Sequence, residues 1–204
     1  MTTYRHFIAF LLLLALLIGL PACGQKKDSG QTMVFEGLTL SSGTCLITWT
    51  DGNDLIKDLD LISLSLPEGE NRPAAGTLVR YTIGQEIMES YPPQAWALSL
   101  EILADKAGPV KISMETAMRI REHQPDRTVL LDVRTPEEFD DGHLPDAINY
   151  PLALLRKEPP SYSKEDTLII YCRSGNRTIE ASRLLDEAGF VLVLDAGGIL
   201  SFTG

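Results

Sequence analysis

Histidine, cysteine and positive charge are all scarce in this chain of 204 residues. Three cysteines are too few to staple a fold of this length, which excludes a disulfide scaffold and leaves each thiol to be read on its own. Three histidines, His6, His123 and His143, stand in no Cys/His cluster with metal-ligand spacing. Neither a metal site nor a cofactor is therefore expected. Eighteen Lys and Arg face 28 Asp and Glu, a formal charge of −10; only Arg5 of these falls in the first 22 residues, so the remaining 182 carry −11. Such a balance excludes general nucleic-acid binding, which needs a positive surface to displace counterions from phosphates. An anionic substrate must instead be captured locally, by arginines and backbone N–H groups. The chain also lacks a long apolar run: the longest, Phe7 to Leu20, has 14 residues, short of the roughly 20 that span a bilayer. A hydrophobic fraction of 44% excludes wholesale disorder.

The apolar run follows Arg5 and His6 and fits the central segment of a secretory signal. It ends Leu20-Pro21-Ala22-Cys23, which resembles a bacterial lipobox. That resemblance implies a signal peptide over residues 1–22, lipid on the Cys23 thiol, and an exported protein held to a membrane by its acyl chains. A plain signal peptide or an uncleaved anchor is the other reading, and export follows either way. Residues 23–32, with the polar stretch Gln25 to Thr32, read as a flexible tether.

Residues 33–104 form a β-like block. Leu46–Thr50, Leu61–Leu66, Thr77–Ile83 and Gln94–Ile102 alternate or cluster apolar and β-branched residues, with turn chemistry at Asp51-Gly52-Asn53 and Pro67-Glu68-Gly69. Five or six short antiparallel strands in a small barrel or sandwich are expected. The segment Glu89-Ser90-Tyr91-Pro92-Pro93-Gln94 after Gly84 resembles the end of small OB-like barrels in lipoproteins, which implies a fold and no activity. Cys45 lies in a strand-like stretch and reads as a buried packing thiol.

After Ala107-Gly108-Pro109 the rhythm becomes α/β. Ser113 is positioned to cap a helix over Met114–Glu122, Thr128–Val133 is an apolar strand, and Thr135-Pro136-Glu137-Glu138 is a capping box. A second strand spans Asp166–Tyr171, a helix starts at Asn176 or Arg177 and stops at Gly189, and Phe190–Leu194 is a third strand. Alternating strands and helices imply a parallel, doubly wound sheet over residues 109–204, whose ligands sit beyond the carboxyl ends of the strands.

Cys172 occupies such a place. It follows a buried strand and precedes Arg173-Ser174-Gly175-Asn176-Arg177 and a helix. A loop from strand end to helix start gathers backbone N–H groups into one hollow with the helix dipole behind it, where a thiolate is stabilised. Arg173 and Arg177 are candidate donors to an incoming oxyanion. A buried structural cysteine between two solvated arginines explains strand, Cys and Gly equally well.

Further motifs separate these readings. Leu131-Asp132-Val133-Arg134, Glu137-Glu138-Phe139, Gly142-His143-Leu144, Ala147-Ile148-Asn149 with Pro151, Tyr171 to Arg177, Ala188-Gly189-Phe190 and Gly197-Gly198-Ile199 resemble, in order and spacing, a rhodanese (sulfurtransferase) domain. The resemblance implies that Cys172 is the sulfur-carrying nucleophile, with Arg177 as its catalytic partner. It implies that Arg173, Ser174, Gly175 and Asn176 bind substrate, and that Asp132 and Arg134 fix the site's architecture. His143 reads as a hydrogen-bonding structural residue. Asp146 stands where the family usually has Gly, and Phe202 where a Trp is common. Asn176-Arg177-Thr178 matches a glycosylation sequon but falls inside the loop, and is read as coincidence.

Related folds that handle phosphoesters or arsenate place five residues between Cys and Arg; here four intervene. The smaller ring fits a sulfane sulfur better than a tetrahedral phosphoryl group. The expected activity is transfer of sulfur from thiosulfate or a persulfide to a thiophilic acceptor through a Cys172 persulfide. The expected partners are therefore a small sulfur-containing anion or persulfide and a membrane, with no nucleic acid. The alternative is a non-catalytic binding or redox-sensing module, in which Cys45 would resolve an oxidised Cys172.

Overall fold

The computed structural model describes residues 32–56 and 60–201. The signal segment, Cys23, the tether up to Gln31, and Phe202 lie outside the described residues.

Five strands, β1 (Met33–Thr39), β2 (Cys45–Thr50), β3 (Leu61–Ser65), β4 (Leu78–Met88) and β5 (Gln94–Ala104), close into a barrel of order β1-β2-β3-β5-β4. The all-antiparallel expectation needs one correction: β3 and β5 run parallel, pairing Ser63 with Gln94 and Ser65 with Trp96. The long Leu78–Met88 strand lies between β3 and β5 in sequence, so β5 returns in the direction of β3 and seals the barrel. Inward alternation fills it with Met33, Phe35, Ile62, Val79, Tyr81, Ile83, Ala95 and Ala97. Cys45 belongs to this core, and its sulfur lies where a side chain on Gly37 would sit. Burial pushes the Cys45 thiol far above its ordinary range.

The second half is a five-stranded sheet of order β6-β10-β9-β7-β8, built from β6 (Val110–Lys111), β7 (Thr128–Asp132), β8 (Ile148–Asn149), β9 (Thr167–Cys172) and β10 (Leu192–Gly198). Every neighbouring pair is parallel. Helices cover both faces: α1 (Met114–His123) on one, α3 (Leu152–Leu155) and α4 (Asn176–Glu187) on the other. The central β9 is buried throughout because alternate residues serve opposite cores. Ile169 and Tyr171 face α1, whereas Leu168, Ile170 and Cys172 face α3 and α4. Ser113 caps α1, its hydroxyl accepting from the Thr116 N–H. The short α2 (Pro136–Asp140) opens with the complete capping box of Thr135 and Glu138.

Barrel and sheet share a core. Leu38, Leu40, Leu46 and Leu61 of the barrel pack in the cluster that holds Met114, Ala117 and Ile120 of α1. The turn after β1 adds polar contacts. The Gln124 side chain accepts from the Ser42 N–H at 3.1 Å and donates to the Thr167 hydroxyl at 3.0 Å, while Thr44 bonds His123 at 2.9 Å. Thr167 begins β9 and Cys172 ends it, so this junction lies at the opposite end of the sheet from the cysteine.

Candidate active site

Cys172 is the last residue of β9 and is fully buried. Its Sγ accepts a hydrogen bond from the Gly175 N–H at 3.1 Å, which folds the loop back over the sulfur. Gly175 has φ of 89° and precedes α4 directly, so the loop enters the helix through a backbone state that favours glycine. Thr178, in the first turn of α4, donates its hydroxyl to the Gly175 carbonyl at 2.7 Å and holds this entry in place.

The second glycine that matters is Gly198, at the end of β10. A side chain there would stand 2.7 Å from Ser174 Cα and carbonyl carbon and 2.8 Å from the Arg173 carbonyl oxygen. The loop therefore lies directly on β10. The Leu200 N–H donates to that same Arg173 carbonyl at 3.2 Å. Gly197-Gly198 was legible as a motif; that it forms the bed of the loop was not.

The two loop arginines differ. Arg173 is exposed, and among the described residues its side chain has no hydrogen-bond or ion-pair partner. Arg177 is engaged by Glu138 in a two-pronged ion pair, at 2.5 and 2.8 Å. This pair holds the Glu138 carboxyl down at about 2. The Arg177 cation is favoured first by Glu138 and, more weakly, by the Cys172 sulfur. The sequence makes Arg177 a candidate donor to an incoming oxyanion; in the structure its guanidinium is also paired with Glu138. Glu138, visible in the sequence as the last residue of a capping box, thus also links α2 to the loop.

Asp132 and Arg134 lie beside this centre. Asp132, fully buried at the end of β7, pairs in register with Tyr171. Arg134 Nε donates to both Asp132 oxygens at 3.0 and 2.8 Å, and its terminal nitrogen donates at 2.6 Å. That same nitrogen reaches the Gly142 carbonyl at 2.7 Å. The guanidinium also sits 5.9 Å from the centre of the Tyr171 ring. His143 is exposed, its ring stacked on Phe139 at 3.7 Å and bonded to the Phe139 carbonyl at 2.9 Å. Asp146 adopts a left-handed backbone (φ 55°), a conformation Asp tolerates better than most residues, and its carboxylate pairs with Arg121 at 2.8 Å. Among the described residues no three His, Cys, Asp or Glu side chains gather to hold a metal ion.

Comparison with known proteins gives this arrangement a lineage. The model of the rhodanese-like domain matches residues 115–203. A sulfurtransferase of Allochromatium vinosum is 37% identical over 75 residues, covering 36% of this chain and 70% of that protein. Thiosulfate sulfurtransferase PspE of Escherichia coli is 35% identical over 71 residues, covering 34% of this chain and 68% of that protein. The chain belongs to the rhodanese-like family. It also matches the senescence-associated protein DIN1 of Raphanus sativus, 38% identical over 108 residues, 47% of this chain and 55% of the radish protein. The chain thus spans about half the length of that relative. The rhodanese-like match begins after β6, so residues 33–104 and their barrel fall outside it.

Within the rhodanese-like domain the residues expected at the site divide into two groups. Cys172 through Arg177 form one continuous ring over the sulfur, with Glu138 attached to its far end. Asp132, Arg134 and Tyr171 form a buried brace beneath it.

Proposed function

We propose that this chain is a sulfurtransferase that carries sulfane sulfur on Cys172. The observation that supports it most is the ring itself. A buried sulfur at a strand end lies under the Gly175 N–H, and four residues separate it from Arg177, whose guanidinium interacts with it. In the proposed reaction the Cys172 thiolate attacks the outer sulfur of thiosulfate. An Sγ–S bond forms, the sulfur–sulfur bond of thiosulfate breaks, and its electron pair leaves on sulfite. The persulfide anion that remains has its charge within reach of loop N–H groups. A second nucleophile then takes the outer sulfur and returns Cys172 as the thiolate, so the kinetics are a double displacement. Arg173, exposed and without an ion-pair partner among the described residues, is the cation that meets the incoming anion in a protein of net charge −10.

A redox partnership with Cys45 has little to favour it. Cys45 is buried in the barrel core and Cys172 in the cluster beneath α3 and α4. Export and lipid anchoring at Cys23 complete the proposal, on the strength of residues 7–23. Labelled palmitate incorporated by the native chain and not by Cys23→Ser supports the anchor.

The kinetic test varies thiosulfate against cyanide and follows thiocyanate. Parallel double-reciprocal lines, abolished in Cys172→Ser, are expected. Intersecting lines, or activity that survives the substitution, overturn the mechanism. A folded protein with no turnover would point to the non-catalytic module.

A further inference from the structure

Along β5 the residues that face the barrel interior are small, Ala95 and Ala97, while Trp96 and Leu98 face solvent, 61% and 56% exposed. A strand serving only the stability of the barrel would place the larger pair inside. On one side Trp96 pairs with Ser65 of β3. On the other, Ala95 and Ala97 pair with Ile87 and Ile83 of β4, so residues 84–86 bulge opposite Trp96 and end in exposed Glu86. Met88, also exposed, pairs with Gln94 and extends the apolar face. Clustered exposed apolar side chains with an aromatic among them mark contact surfaces.

The charges around this face are of one sign. Residues 33–104 hold ten acids and three bases. Glu86 and Glu89 lie on the β4 side, and Glu68 and Glu70 follow β3. All four are exposed, and among the described residues none of their side chains has a hydrogen-bond or ion-pair partner. The barrel arginines are committed: Arg72 donates to the carbonyls of Gly43 and Leu64, and Arg80 is held between Glu36 and Glu101 at 2.8 and 2.9 Å. A second copy of this chain would set these acids against themselves, and anionic lipid would meet the same repulsion. A cation gains twice, from the carboxylates and from the face of the indole.

We propose that the outer β3–β5–β4 face of the barrel is a docking surface for a basic segment of a partner polypeptide. An Arg or Lys side chain of the partner lies on the Trp96 indole within reach of Glu86, and apolar neighbours cover Leu98 and Met88. The assignment is independent of the sulfur-transfer reading. It gives the barrel, which falls outside the rhodanese-like match, a role of its own.

The full chain carrying Trp49→Phe has Trp96 as its only tryptophan, so its emission reports this face. A capped pentapeptide alternating leucine and arginine should change that emission saturably, and its glutamate counterpart should not. By calorimetry on the full chain, Trp96→Ala should weaken the arginine peptide about fivefold. Glu86→Gln should weaken it about twofold, and Trp49→Phe should leave it unchanged. Raising salt to about 0.5 M should weaken it as well. Leu98→Ala, a second position outside the core, should also reduce affinity, and unchanged melting in these variants separates lost contact from lost fold. No emission change, an equal response to the glutamate peptide, or unchanged affinity in Trp96→Ala overturns the proposal. A Trp96 blue shift on phosphatidylcholine vesicles without any response to the arginine peptide overturns it in favour of a lipid contact. Self-association of the chain abolished by Trp96→Ala overturns it in favour of a dimer contact.

Discussion

Glu138 joins two structural devices, and substitutions separate them. Its carboxylate accepts from the Thr135 N–H at 3.1 Å, which completes the cap of α2, and grips Arg177 at 2.5 and 2.8 Å. Both side chains of the ion pair are about three-tenths exposed (30% and 27%), so solvent screens part of the attraction. We expect the pair to contribute about 1 kcal/mol and the cap about as much again. Glu138→Gln keeps an oxygen for the cap but removes the charge, so it should cost about 1 kcal/mol; Glu138→Ala removes both and should cost about 2 kcal/mol. At roughly 2–4 °C per kcal/mol for a chain of this size, melting should fall by about 2–4 °C and about 4–8 °C. Acid adds a second axis. The carboxyl is held at about 2 against an ordinary 4.5, chiefly by its hydrogen bonds to Arg177. A lowered value means that the folded state favours the charged form. The native advantage over Glu138→Gln is therefore complete above about pH 4.5 and is lost as pH falls towards 2. Thermal melts of the three proteins across that range provide the assay. Identical melting of native protein and Glu138→Gln at neutral pH, or an advantage that persists unchanged at pH 2, would refute the reasoning.

Other substitutions address the brace, the bed of the loop and the free arginine. Asp132→Ala leaves the buried Arg134 guanidinium without its counterion and should cost about 3–5 kcal/mol in urea unfolding; a loss under about 1 kcal/mol would show that the pair is not structural. Gly198→Ala forces a methyl group against Ser174 and should cost about 1–3 kcal/mol while slowing sulfur uptake from thiosulfate; native-like uptake and stability would mean that the loop does not rest on β10. Arg173→Gln should raise KM for thiosulfate severalfold and leave the melting point within about 1 °C, since this exposed side chain has no hydrogen-bond or ion-pair partner among the described residues. An unchanged KM would remove Arg173 from substrate capture.

Much of the second half was legible because its signals are local. Ser113, Thr135 and Glu138 are caps whose chemistry is complete within four residues, and Leu168 to Tyr171 is an apolar run long enough to mark a central strand. The strands Val110–Lys111 and Ile148–Asn149 have two residues each, too short to show a period, and become strands only by adding to an existing sheet. The parallel closure of β3 on β5 depends on chain routing, which alternation does not encode. In the site, the Cys–loop–Arg spacing was readable, but the Glu138–Arg177 pair spans 39 positions and brings together residues whose local roles were already explained. Gly198 had a similar concealment: a glycine needed for close approach looks the same in sequence as one needed for a turn. The shared core of barrel and sheet was hidden because Leu38, Leu40, Leu46 and Leu61 read equally well as residues of the barrel interior.

The central claim is that Cys172 accepts sulfur, and mass spectrometry of the full chain after incubation with thiosulfate tests it most directly. The account predicts an added mass of one sulfur atom, about 32 Da, confined to the peptide bearing Cys172 and discharged by cyanide as thiocyanate. A folded, reduced protein that gains no sulfur, or gains it equally in Cys172→Ser, would contradict it.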